Sequence, residues 1–154
     1  MTDADPDPRL ARVAVDADVL AADLLVGGPA RTAMDLVRAH SWVELVVTDR
    51  VLADAEAVVA ALAEPGLAAD WRAAVEALAT VVEAPPGDHP ALAAAYRGEA
   101  AHVLTFDDRL AGADAAAALG RWNLSVKRPD GFARLFDPET VYPAAVGGEY
   151  PGPG

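Results

Sequence analysis

The chain has 154 residues, enough for one domain with a single core, and its lack of cysteine excludes disulfides, thiolate metal sites and cysteine nucleophiles. Its 24 acids outnumber 12 bases, of which only Lys127 is a lysine, giving a formal net charge of −12. That balance suits a salt-loaded, halophilic cytoplasm; at molar salt the Debye length falls to about 3 Å, so the global charge neither excludes nor favours a nucleic-acid partner.

The lead-in over residues 1–11 is acidic and punctuated by proline, with no apolar h-region, so it reads as a flexible arm and not as a signal peptide. No run of about 18 apolar residues occurs anywhere, so no membrane span is expected and the expected location is cytoplasmic. RVAVD (12–16) is a short apolar strand, and residues 30–40 read as a helix with Ala33, Leu36 and Val37 on one face. VELVV (43–47) is a second strand. Thr48 then caps a helix over 49–63, with Val51, Leu52, Ala55, Val58, Val59 and Leu62 at helical spacing. Glu64-Pro65-Gly66 breaks it, and 67–79 forms another helix. A third strand over 81–84 is stopped by Pro85-Pro86-Gly87, and Asp88 caps a helix over 89–99 with Pro90 in its first turn. The remaining elements are a strand over 103–106, a short helix over 114–119, a strand over 124–127 and a helix over 130–136. The Pro- and Gly-rich tail, 138–154, is expected to be disordered. Short apolar strands alternating with helices predict an α/β fold, a three-layer α/β/α sandwich around a mainly parallel five-stranded sheet, with one domain over 12–137.

Ligand sites in such sheets lie beyond the carboxyl ends of the strands. Asp16 and Asp18 follow the first strand there, and Asp107 and Asp108 follow the fourth. Asp88, at the start of the helix that leads into strand four, belongs to the same rim, as do Asp54 and Glu56 early in the helix after strand two. Each acid alone has a local explanation as a cap or a solvated side chain. Several carboxylates on one rim repel one another unless a cation or protons offset them. Hard oxygen ligands without cysteine, and without histidine in a ligand spacing, point to Mg²⁺ or Mn²⁺. Asp54 and Glu56 lie about 100° to either side of the helix's apolar centre, so periodicity does not choose between them. His89 and His102 flank the rim in sequence and read as structural residues.

Four stretches, VAVDADVL (13–20), TDRVLADAE (48–56), DHPALAAAYRGEAAHVLTFDDRL (88–110) and SVKRPDGFARLF (125–136), together resemble the PIN domain family of metal-dependent ribonucleases, which includes toxins of toxin–antitoxin pairs. The third is the most specific: an Asp opening a helix, small residues, then a strand ending in Thr-x-Asp. The resemblance implies a catalytic set of Asp16, Asp54, Asp88 and Asp107, with Asp16, Asp88 and Asp107 as metal ligands and Thr105, Asp108, Asp18 and Glu56 in support. At the second-helix position the family usually has Glu, six residues past a Ser or Thr; counting from Thr48 gives Asp54, a departure in residue type, with Glu56 nearby. The function so implied is hydrolysis of RNA phosphodiester bonds by Mg²⁺- or Mn²⁺-activated water, as a toxin or an RNA-processing enzyme. The partners it implies are an RNA substrate, an antitoxin protein and a second copy of the chain. Arg50, Arg97, Arg109 and Arg128 are candidates for phosphate contacts or for ion pairs with surface acids. The alternative is a catalytically degenerate domain of the same fold that binds RNA or protein. A two-component receiver domain is disfavoured, because its third strand must end in an acceptor Asp and this one runs into Glu83-Ala84-Pro85-Pro86.

Overall fold

The computed structural model describes residues 9–83, 89–111 and 124–153. The chain enters through β1 (Arg9–Val15), which runs from exposed Arg9 and Leu10 to fully buried Val13, Ala14 and Val15. In chain order there follow α1 (Ala17–Leu25), α2 (Gly28–Arg38), β2 (Glu44–Thr48), α3 (Asp49–Leu62), α4 (Pro65–Leu78) and β3 (Thr80–Val82). Then come α5 (Pro90–Arg97), β4 (Ala100–Leu104), α6 (Asp108–Ala111), β5 (Ser125–Lys127), α7 (Pro129–Leu135) and α8 (Pro138–Ala145).

All five strands are parallel, in the order β3-β2-β1-β4-β5. β1 lies at the centre, with Val13 opposite Leu45 on one side and His102 on the other. Side chains alternate across the pleat. Val13, Val15, Leu45, Val47 and Leu104 join one buried cluster with α1, α2, α3 and α7, while Ala14, Val46, Val103 and Val126 join another beneath α5. Because both faces are covered, Val13–Val15 of β1 and Leu45–Val47 of β2 are continuous apolar runs, as a buried parallel sheet requires. The expected three-layer α/β sandwich is therefore the observed architecture. No helix among the described residues is long and apolar enough to cross a membrane.

Several elements differ from expectation. Residues 17–25 form α1, unassigned from sequence, because its buried Val19, Leu20, Ala21 and Asp23 wrap around the helix instead of forming a stripe. This helix packs on both α2 and α3. β1 starts at Arg9, inside the arm expected to be flexible, and β4 covers 100–104 instead of 103–106. The helix expected at 114–119 lies outside the described residues. The tail expected to be disordered contains α8. Tyr142 sets its ring edge-on to Trp42 with centroids 5.2 Å apart, and Tyr150 Oη bonds His40 Nε2.

Candidate functional site

β1 and β4 are neighbours, and their pairing continues one step past the strands. The Asp16 amide donates to the Leu104 carbonyl at 2.9 Å, while on the other side of β4 the Thr105 amide donates to the Lys127 carbonyl of β5 at 3.1 Å. This brings the side chains that follow the two strands together. Thr105 is fully buried; its hydroxyl donates to Asp16 Oδ2 at 2.8 Å and accepts from the Asp107 amide at 3.0 Å. Asp16 Oδ1 accepts from the Ala17 amide at 2.8 Å, so the same carboxylate caps α1. Across the gap, the Phe106 amide donates to Asp18 Oδ2 at 3.3 Å.

His89 enters from the start of α5. Its Nδ1 accepts from the Ala91 amide at 3.2 Å, so the neutral ring carries its proton on Nε2, and Nε2 lies 3.7 Å from Asp16 Oδ2. The helix begins at Pro90 with His89 as its cap, in place of the expected start at residue 89 capped by Asp88. Asp88 lies outside the described residues. His89, expected from sequence to be structural, instead stands beside Asp16; its place directly before Pro90 is the sequence signal that fixes it at a helix start on this rim. His102 is structural, as expected. Its Nε2 donates to the Leu10 carbonyl at 3.1 Å, its ring stands edge-on to Phe132 and Phe136, and burial lowers its pKa.

The acids are electrostatically unequal. Asp18 is held above the usual carboxylate range, by partial withdrawal from water first and then by the negative charges of Asp16 and Asp107. Asp107 is held below it by Arg109, whose amide and Nε donate to Oδ1 at 2.9 and 3.3 Å and whose Nη2 lies 3.2 Å from Oδ2, with His89 adding a smaller effect. In the folded state Asp18 binds its proton more tightly than in the unfolded chain, so its ionisation weakens the fold as pH rises through the raised value. Asp18→Asn is accordingly expected to melt above wild type at pH 7 and level with it near about pH 3, where both side chains are neutral. Thermal scans at the two pH values check this, and equal melting temperatures at pH 7 would refute the crowding of Asp18.

Asp16, Asp18, Thr105 and Asp107 are thus brought together, with His89 beside them. Asp108 turns away to Arg128, at 2.6 Å, and Arg128 Nη1 also donates to the Phe106 carbonyl at 3.1 Å, tying down the loop after β4. The two candidates on α3 face other partners. Asp54 is exposed, with Arg50 at 3.8 Å one turn away; Glu56 is drawn to Arg72 of α4 at 2.9 Å, and Arg72 also holds Glu76 at 2.9 Å. Arg50, Arg109 and Arg128 are all ion-paired to acids, whereas Arg97 has no acidic partner among the described residues. Among the described residues no group of three or more His, Asp and Glu side chains converges closely enough to enclose a metal ion.

Strand order reverses between β1 and β4, the place where open parallel sheets bind ligands. Fold and site together define a doubly wound α/β domain with a carboxylate cluster at its topological switch point. The chain belongs to DUF7384, a family of unknown function, whose model matches residues 7–154. No curated protein and no solved structure matches it.

Proposed function

We propose that the switch-point acids are the catalytic centre of a metal-dependent ribonuclease of the PIN-domain kind. The observation that carries this reading is the hydrogen-bonded chain from the Asp107 amide through Thr105 Oγ1 to Asp16 Oδ2, which locks together the ends of β1 and β4. The donor types suit a hard divalent cation: Asp18 feels the negative charges of Asp16 and Asp107 after partial burial, and no sulfur is present, although these carboxylates would have to draw closer together to enclose an ion. Asp16 and Asp107 would hold Mg²⁺ or Mn²⁺, with Asp88 as a further ligand and Asp18 in support. When bound there, such an ion would supply an activated water and a counter-charge for the scissile phosphate. Thr105 fixes the Asp16 carboxylate by donation, and the Asp16 cap on α1 sets its direction. His89 presents its Nε2 proton on the same rim.

RNA cleavage assayed in high KCl with Mn²⁺ tests the reading. Asp16→Asn and Asp107→Asn should each abolish cleavage while leaving the fold intact; Asn keeps the cap at either position, but Asp16→Asn should melt lower because its amide nitrogen cannot accept from the Thr105 hydroxyl as Oδ2 does. A second reading, a degenerate RNA- or protein-binding module, is favoured by one observation: both α3 acids are paired with arginines. The absence of both Mn²⁺ binding and cleavage in the wild type would select it.

A further inference from the structure

Away from the acidic rim, α1, α2, α4 and the segment leading into β2 line a half-open cavity of about 550 Å³. Leu20, Met34, Val43, Leu45, Trp71 and Val75 are among the apolar residues of its wall. This size and this apolar lining are those of a small-molecule pocket. Its charged groups are Asp23, Arg31 and Arg38. Both Asp23 oxygens are taken by Arg38, at 2.8 and 3.0 Å, and Arg38 also holds Asp35 at 2.6 Å, so that set offers no free cation. Arg31 differs. It spends Nε and Nη2 on the carbonyls of Asp23 and Leu24, at 2.8 to 3.1 Å, and pairs with no carboxylate among the described residues. Of the described arginines only Arg31 and Arg97 lack an acidic partner among the described residues, in a chain of net charge −12, and Arg31 lines this cavity.

We propose that this cavity binds a medium-chain carboxylate, its hydrocarbon chain against the Met34–Leu45–Trp71 wall and its carboxylate on Arg31. The apolar wall selects against small inorganic anions, which would lose hydration there without compensation. A charge-assisted bond to the guanidinium selects the acid over the alcohol of equal length.

Octanoate is the probe, followed through the Trp71 indole N–H signal in the full chain at low ionic strength, with 1-octanol as the uncharged comparison. The Trp71 signal should shift saturably with octanoate, and octanol should bind about fivefold more weakly. Arg31→Ala should erase that preference, Arg31→Lys should retain part of it, and 1 M KCl should narrow it in the wild type. Ala74→Phe, at an exposed position on the cavity's edge, should block the site without changing the melting temperature. An unmoved Trp71 signal, equal binding of octanol and octanoate to the wild type, or undiminished octanoate binding by a folded Ala74→Phe each overturns the proposal.

Discussion

Gly98→Ala is expected to destabilise the domain by about 3 kcal/mol, a large loss for the addition of one methyl group. Backbone conformation is not the reason, because Gly98 has φ −91°, which alanine adopts freely. The reason is proximity. A Cβ at this position would lie 2.2 Å from Val46 Cγ1 and 2.9 Å from the Ala94 carbonyl oxygen. α5 approaches the sheet on a face made of Ala91, Ala94 and Ala95, against Ala14 and Val46, and every one of these is buried. Val46 has no room to turn aside, and the Ala94 carbonyl already accepts the Gly98 amide at 2.8 Å. Urea unfolding of Gly98→Ala, Val46→Ala and the double variant resolves the two contacts. The double variant should lose less than the sum of the singles, because Val46→Ala removes one clash and leaves the other. A Gly98→Ala midpoint within about 1 kcal/mol of wild type would mean that α5 does not sit this close to the sheet.

That close approach shows which features of the fold were legible in the sequence. The parallel sheet was, because Val13–Val15 and Leu45–Val47 are apolar at every position, a pattern that only a sheet covered on both faces produces. Element ends were less so. Val103–Phe106 has the stronger β propensity, yet β4 spans Ala100–Leu104, since pairing with both Val13–Val15 and Val126 decides where the ladder runs. α1 lacks a stripe because neighbours surround it. In α8 the helix owes its place to contacts distant in sequence, Trp42 and His40, which no local pattern reveals.

The site divides in the same way. Asp16, Asp18, Thr105 and Asp107 were legible because a residue directly after a strand has nowhere to be except the sheet's edge. Asp54 and Glu56 were not, because a helical residue's direction depends on what packs beside it. Arg72, on a different helix, supplies a cation that turns Glu56 toward α4. The parting of Asp107 from Asp108 likewise depends on β5, whose register sets Arg128 beside the loop after β4.

Thr105→Val should cost about 2 to 3 kcal/mol even though it preserves shape and burial. Valine fills the threonine volume, so no cavity opens. What disappears is the hydroxyl that serves two partners at once, accepting from the Asp107 amide at 3.0 Å and donating to Asp16 Oδ2 at 2.8 Å. The amide and the carboxylate oxygen are then left beside a methyl group, the costly half of the hydrogen-bond asymmetry. Thr105→Ser keeps both bonds and loses only a methyl, so the expected order of stability is wild type, then Ser, then Val. The reverse order in thermal or urea unfolding, Val above Ser, would assign Thr105 to packing alone. The same pair of variants bears on the proposed nuclease centre. If Asp16 and Asp107 hold one cation between them, their separation must be fixed before the ion arrives. Removing the bridge should then weaken Mn²⁺ binding by about 10- to 100-fold, the usual effect of losing a group that orients metal ligands. Thr105→Ser should bind Mn²⁺ nearly as the wild type does. Equal Mn²⁺ affinity in all three proteins would confine the bridge to holding β1 and β4 together.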